Sequence, residues 1–339
     1  MTAAPRVSVL LPVRNGDPWF AAALESILSQ EGVDFEVVVV DDGSKDGTTA
    51  HLAACGDPRL RVIRREGEGL VAALNTALEA ARGDYVARMD ADDLSLPGRL
   101  ARQARVLDQQ PDVVMVHSAV QVIDGQGRRQ MVIAADQITP EQRRAALLGE
   151  YPARPIIHPS VMMRRAELLA VGGYRHSPSC EDHELWLRVV DSWVFHAIPE
   201  VLLLYRQHDQ GISRSRAAEQ AISHITNCVA YRYRTVSGID LYRDDPDRYA
   251  WLRERVTEEA GAMIAAVVHA KAARRHLRQG SWGKGATSLA ALVRTGRLTM
   301  LSNRFHLRAF LKVEDRVLRR HLLAVDAAKG ETADDPAAD

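Results

Sequence analysis

Three carboxylates, Asp90, Asp92 and Asp93, crowd the end of the short run Gly83-Asp-Tyr-Val-Ala-Arg-Met-Asp-Ala-Asp-Asp93. Like charges a few ångströms apart repel and push one another toward protonation unless a cation or hydrogen-bond donors sit among them. A hard divalent ion such as Mg²⁺ or Mn²⁺ prefers oxygen, commonly takes one or two carboxylates from a protein, and fills its remaining positions with phosphate oxygens and water. The plain alternative is a solvated acidic loop or a helix cap. Among the acid pairs elsewhere in the chain are Asp41-Asp42 and Glu181-Asp182, and among its histidines are those of His158-Pro-Ser and Arg206-Gln-His208.

The elements around these residues suggest where they lie. Tyr85 to Met89 has strand length, and Pro97 to Gln109 reads as a helix entered through Pro97 and carrying Leu100, Val106 and Leu107. The acids thus fall at the carboxyl end of a strand, where open α/β sheets bind ligands. Upstream, Arg6 to Val13 and Phe35 to Val40 are apolar runs of the kind buried on both faces of a parallel sheet. Between them Pro18 opens a helix with Phe20, Leu24, Ile27 and Leu28 at helical spacing. Strand, helix, strand implies a right-handed crossover, which sets Asn15 and Asp41-Asp42 along one sheet edge. A carboxylate there can accept from an imide N–H or ribose hydroxyls, or it can cap the next helix, the better reading for Ser44 and Asp46. Leu60 to Arg64 makes a third strand, and Leu70 to Arg82 a helix buried along Val71, Leu74, Leu78 and Ala81. Asn75 lies near that stripe, either as a structural amide or as a donor aimed at the cleft.

After Gln110-Pro111 the pattern changes. Val113 to His117 is another strand, and Ala119 to Ile123 with Arg128 to Ile133 predicts a hairpin around Asp124-Gly-Gln-Gly127. Thr139-Pro140-Glu141 starts a short helix, and Ile156 to Arg165 joins a strand to another. Glu181 and Asp182 open a helix marked by Leu185, Trp186, Val189 and Val190. Acids favour that position because the helix dipole and unpaired N–H groups stabilise negative charge. Beyond Ser213, helical patterns run through Ala217 to Tyr233, Asp247 to Gln279, Ser281 to Thr295 and Met300 to Val325, and the acidic tail Glu331 to Asp339 reads as disordered.

Lysine plus arginine equals aspartate plus glutamate at 44 each, so overall charge argues for no polyanionic partner and no nucleic acid. Cys55, Cys180 and Cys228 are too widely spaced in sequence for a disulfide framework or a zinc-type cluster, which suits a reducing compartment. No apolar run approaches the roughly 20 residues of a membrane span, so a cytoplasmic protein is expected. The basic stretch Lys271 to Arg320, with Leu301, Phe305, Leu307 and Phe310, reads as a helical appendage with a solvated face, and alternatively as a peripheral contact with anionic membrane.

Val7-Ser-Val-Leu-Leu-Pro-Val-Arg-Asn15, Glu36-Val-Val-Val-Val-Asp-Asp-Gly-Ser-Lys-Asp-Gly-Thr48, Asn75 followed by Ala80-Ala-Arg-Gly-Asp-Tyr85, and Met89-Asp-Ala-Asp-Asp-Leu94 with Pro97 and Arg99-Leu100 together resemble glycosyltransferase family 2, in that family's order. The resemblance implies the α/β GT-A fold, a doubly wound, Rossmann-like nucleotide-binding sheet joined to a mixed acceptor half. The chain then divides into a GT-A domain over 1–213 (halves 1–112 and 113–213), a helical region over 214–330 and a tail over 331–339. It implies inverting transfer of a sugar from a nucleotide-sugar donor, usually UDP-linked, to a saccharide or lipid-linked acceptor, with Mn²⁺ or Mg²⁺. Carried over by motif, Pro12, Val13, Arg14 and Asn15 line the nucleoside pocket, Asp42 with Asp41 meets the base, and Asn75, Met89, Asp90 and Ala91 face the donor. Asp92 holds the ion, and Arg206 and His208 lie near the diphosphate, His208 as a further metal ligand that tilts the choice toward Mn²⁺. Asp182 is the base, while Glu181 and His158 attend the acceptor. Leu74 stands where many relatives carry Arg or Lys, so Arg88 or Arg206 is left to supply that cation. A sugar nucleotidyltransferase is the rival enzyme, though Leu11-Pro-Val-Arg-Asn-Gly16 lacks its glycine richness. A degenerate transferase acting as a scaffold is the rival without chemistry. Oligomeric state is open.

Overall fold

Every residue of β1 (Val7–Val13) and β2 (Phe35–Asp42) is buried, as a strand must be when helices cover both faces of its sheet. The computed structural model describes residues 4–175, 179–211 and 215–278, with Thr287, Val317 and Leu322. The helices expected from Ser281 onward and the acidic tail lie outside the described residues. The described chain divides into two units, Met1–His176 with Val189–Gly211, and Ser177–Arg188 with Ile212–Asp339. The segment that opens with the Glu181-Asp182 pair thus groups with the carboxyl-terminal helices and not with the sheet.

In the first unit the chain runs β1, α1 (Phe20–Leu28), β2, α2 (Thr48–Ala54), β3 (Leu60–Arg65), α3 (Leu70–Ala80), β4 (Tyr85–Arg88), β5 (Leu94–Ser95) and α4 (Arg99–Gln109). It continues through β6 (Val113–Asp124), β7 (Arg129–Ile133), α5 (Pro140–Leu147), a 3-10 turn at His158–Ser160, β8 (Met162–Arg164), α6 (Arg165–Ala170) and β9 (Val194–Gln207). The sheet order is β3-β2-β1-β4-β8-β6-β9-β5, with β7 on β6. β1 to β4 are mutually parallel, and β8 pairs antiparallel with both β4 and β6. This is the expected GT-A sheet, a parallel half continued by a mixed half. One departure is β6, a single strand where two were expected: the buried polar residues His117 and Ser118 interrupt its apolar pattern, and its pairing with β9 shifts register after Ser118 but continues to Asp124.

The parallel half is pinned by a buried carboxylate. Glu36 on β2 accepts from Ser8 Oγ (2.7 Å), the Arg82 amide (2.8 Å) and side chain (2.6 Å), and Arg61 (3.0 Å). Burial pushes its pKa up, and these hydrogen bonds outweigh that and hold it below the ordinary range. Gly83 completes the node, since a Cβ there would lie 2.7 Å from the Ser8 backbone nitrogen. Charge-assisted hydrogen bonds contribute about 1.5–3 kcal/mol each, non-additively, so Glu36→Gln is expected to destabilise the protein by about 2–3 kcal/mol in urea titration. An unchanged midpoint would show the node to be dispensable.

In the mixed half, burial lowers the pKa of His117 to about 3, with repulsion from Arg143 and His196 acting the same way and Asp136 opposing. A histidine depressed in the folded state binds fewer protons there than in the unfolded chain, so its contribution is complete above about pH 6.5 and declines as pH falls toward 3. The slope reaches about 1.4 kcal/mol per pH unit. His117→Phe is therefore expected to retain, at pH 5, about 2 kcal/mol of what the wild type loses relative to pH 7. Parallel denaturation curves at both pH values check this, and equal losses would contradict it.

The second unit contains α7 (Glu181–Val189), α8 (Ala217–Ser237), α9 (Leu241–Asp244) and α10 (Pro246–Arg278). Its core joins Ile225, Val229 and Tyr233 of α8 to Leu252, Val256, Ala260 and Ile264 of α10, both series at four-residue spacing on one helical face. No helix among the described residues is long and apolar enough to cross a membrane.

Candidate functional site

A two-residue strand organises the acids. β5 pairs antiparallel with β9 in the register Leu94↔Leu204 and Ser95↔Leu203. Continuing that register carries the loop after β4 alongside the end of β9, so Asp92 and Asp93 meet Arg206 and His208. Arg206 donates its amide to Asp93 Oδ1 (2.7 Å), Nε to the Asp92 carbonyl (2.7 Å) and Nη1 to the Asp124 carbonyl (3.1 Å). His208 Nε2 lies 2.9 Å from Asp92 Oδ2. Asp92 and His208, both expected near a metal ion, thus lie side by side, while Arg206 holds main chain around the acids.

Carboxylate oxygens of Asp90, Asp92 and Asp93 all lie within 4.8 Å of one another. Asp93 is fully buried, and burial followed by the charges of Asp92 and Asp90 pushes it well above the usual carboxylate range, against the Arg206 amide and Arg88. Asp90 keeps 30 % of its side chain exposed and is also raised, by burial first, although it is ion-paired with the buried Arg88. Asp93 Oδ2 and His208 Nδ1 are buried without a hydrogen-bond partner among the described residues. Crowded oxygens, one of them unsatisfied, beside an imidazole make a donor set that fits a hard divalent cation.

Below this cluster Arg99 is completely buried, donating to the Arg88 carbonyl (2.6 Å), Ser95 Oγ (3.0 Å) and Gln103 (3.1 Å). Burial draws its pKa down to about 10, with Asp93 opposing. Trp19 forms one wall, its ring 4.0 Å from that of His208 and its Nε1 donating to the Gly125 carbonyl (3.1 Å). Sequence reasoning counts Asp93 only as one of three crowded carboxylates and assigns no role to Arg99 or Trp19. Arg99 was within a quoted motif, whereas nothing local marks Trp19, whose partner lies far along the chain.

The other half of the cleft edge is made by loops after the parallel strands. Asn15, in a left-handed conformation at φ 55°, accepts from the Lys45 amide (2.8 Å) and donates its own amide to Ser44 Oγ (2.9 Å). Asp41 accepts from the Ser44 amide (2.9 Å), and Asp42 receives the amides of Glu68 and Gly69, each at 2.8 Å, on its two oxygens. Both acids are 4 % exposed and order these loops. Arg14 is exposed and lays its guanidinium against Gly67, where a Cβ would come within 3.4 Å of it. Pro12, Val13 and Met89 are buried, side chain and backbone alike, and Ala91 is partly buried. Asn75 takes the structural alternative, bonding Tyr174 through both Nδ2 to its carbonyl (2.8 Å) and Oδ1 from its amide (2.9 Å). The Tyr174 hydroxyl in turn lies 3.0 Å from Nε2 of the buried His158, whose charge would favour ionised Asp90.

Asp182 and Glu181 stand in the first turn of α7, in the second unit. Asp182 is half-buried and accepts the His183 amide at 2.8 Å, while Glu181 is 9 % exposed.

A model of glycosyl transferase family 2 matches residues 8–172. EpsE of Bacillus subtilis is 34 % identical over 195 residues, which cover 56 % of this chain and 68 % of that protein. Some longer rickettsial relatives are spanned over only about a third of their length, 35 % and 34 %. Among solved structures, residues 1–349 of Staphylococcus aureus TarS in complex with UDP-GlcNAc superpose with TM-score 0.54 at 19 % identity, over 86 % of this chain and 92 % of that one. The mannosyltransferase PcManGT of Pyrobaculum calidifontis, in complex with GDP-Man and Mn²⁺, superposes with TM-score 0.51 at 21 % identity, over 94 % and 88 %.

Proposed function

Because the chain belongs to glycosyltransferase family 2 and has the GT-A fold, we propose that it moves a sugar from a UDP-linked donor to a hydroxyl of a saccharide or lipid-linked acceptor, inverting the anomeric carbon. The observation that carries this reading is the convergence of Asp90, Asp92, Asp93 and His208 after the carboxyl end of β4. The nucleoside lies along Pro12 to Asn15 with Asp41 and Asp42 beneath it, and Asp90 meets the ribose. Asn75 acts at one remove, by fixing Tyr174. A divalent cation, Mn²⁺ or Mg²⁺, held by Asp92 with Asp90, Asp93 and His208, would supply the positive charge that stabilises a leaving diphosphate. Asp182 takes the proton of the acceptor hydroxyl, with Glu181 and His158 orienting the acceptor. The acceptor oxygen bonds to the anomeric carbon from the face opposite the diphosphate, and the breaking C–O bond leaves its electron pair on the diphosphate. One base suffices, since the leaving group needs charge stabilisation and not a proton.

That TarS was solved with UDP-GlcNAc and PcManGT with GDP-Man and Mn²⁺ supports a nucleotide-sugar donor and leaves the base to be tested. A thermal-shift panel of UDP-, GDP- and dTDP-sugars, each with Mn²⁺ or EDTA, followed by a transfer assay, tests it. A UDP-sugar at about 100 times its Kd should add about 2.7 kcal/mol of stability with Mn²⁺ and less with EDTA. No response to any nucleotide-sugar would overturn the reading.

A further inference from the structure

The cysteines make no zinc-type cluster in sequence, and none is in a disulfide, but folding of the second unit gives one of them partners. His224 and Cys228 are four residues apart on α8, hence one turn apart on the same face. His183, in the first turn of α7, stacks on His224 with ring centroids 4.0 Å apart and planes inclined by 29°. One nitrogen from each imidazole and the Cys228 sulfur all lie within 4.8 Å of one another. Cys228 is fully buried, His183 is 9 % exposed and His224 is half-buried.

We propose that His183, His224 and Cys228 form a second metal site, for a borderline-soft divalent ion and preferentially zinc. Two imidazoles and a thiolate are the donors such an ion selects, whereas Mg²⁺ and Mn²⁺ favour the all-oxygen character of the aspartate cluster. Tetrahedral zinc at about 2.0–2.1 Å from nitrogen and about 2.3 Å from sulfur needs donor atoms roughly 3.3–3.8 Å apart, a contraction of about 1 Å from the observed limit, within side-chain rotation. Water completes the fourth position. Glu181 and Asp182 share the first helical turn with His183 and add negative charge near the site, whereas Glu184 is paired with Arg188 at 3.0 Å.

The ion has a structural task. In sequence α7 is separated from the rest of its unit by β9, and it is preceded by Cys180 at φ 89°, a left-handed conformation that costs a residue with a Cβ. Among the hydrogen bonds between this segment and α8 are Cys180 Sγ to the Gln220 carbonyl (3.5 Å), Asn227 Nδ2 to the Cys180 carbonyl (3.4 Å) and Arg234 to the Leu187 carbonyl (3.2 Å). A metal shared by the two helices would lock the turn that carries Asp182. This rests on the geometry of the second unit and stands whether or not Asp182 is the base.

Full-length protein stripped with chelator and titrated with Co²⁺ alone is expected to develop a thiolate-to-cobalt charge-transfer band at one equivalent, and Zn²⁺ to displace it. Cys228→Ser should abolish the band, and His224→Gln should weaken Zn²⁺ binding by more than about 100-fold. Zn²⁺ should raise the wild-type melting temperature in excess Mg²⁺ but not that of His224→Gln. His224 is less buried than Cys228, so this variant keeps the test open if Cys228→Ser does not fold. Absence of the band in the wild type, or stoichiometric Zn²⁺ binding that survives both substitutions, would overturn the proposal.

Discussion

Asp182→Asn is expected to bind UDP and Mn²⁺ as the wild type does and to lose transfer by about 10²–10⁴-fold, the usual contribution of a general base. Asparagine keeps the size of the side chain and its oxygen acceptor, so the hydrogen bond from the His183 amide, 2.8 Å in the wild type, can persist. It has no basic carboxylate, so the acceptor hydroxyl must give its proton to water. The first turn of α7 also carries Glu181 and Glu184, and Glu184 is already closed in a buried pair with Arg188 at 3.0 Å. That pairing leaves Glu184 a structural role and narrows the choice of base to Glu181 and Asp182. Calorimetry with UDP and Mn²⁺ beside a transfer assay separates the two functions. Normal turnover by Asp182→Asn, or equal loss of donor affinity, would remove the assignment.

Much of the parallel half could be read from residues, because strands buried on both faces write themselves as continuous apolar runs and their helices as four-residue stripes. Val7–Val13, Phe35–Asp42 and Leu70–Ala80 all lie close to where those patterns end. β5 is illegible for the opposite reason, since two residues have no period, yet its register brings Asp92 to His208. Arg99 defeats pattern reading too. The stripe Leu100 and Leu107 predicts a buried face, but a fully buried arginine is intelligible only once the Arg88 carbonyl and Ser95 are known to lie over it. Asn75, left between two roles by its spacing, takes the structural one because Tyr174, 99 residues later, offers both an amide and a carbonyl. The division of the chain is likewise invisible locally, since Ser177–Arg188 groups with helices that follow β9.

Asp92→Ala should weaken Mn²⁺-dependent UDP binding by about 100-fold, the upper range for loss of support around a metal, while binding measured in EDTA changes little. The substitution removes a carboxylate from a cluster whose members destabilise one another: burial and the charges of Asp92 and Asp90 together raise the pKa of Asp93. Relief of that repulsion offsets loss of the 2.9 Å contact with His208, so the metal-free variant should melt close to the wild type. The two effects therefore separate by condition, with stability preserved in chelator and the Mn²⁺ response gone. A purely structural acid would behave the other way. Asp92→Ala and His208→Gln would then both lower the melting temperature in EDTA and both keep the full Mn²⁺-dependent gain in UDP affinity, a pattern incompatible with an ion seated on these side chains.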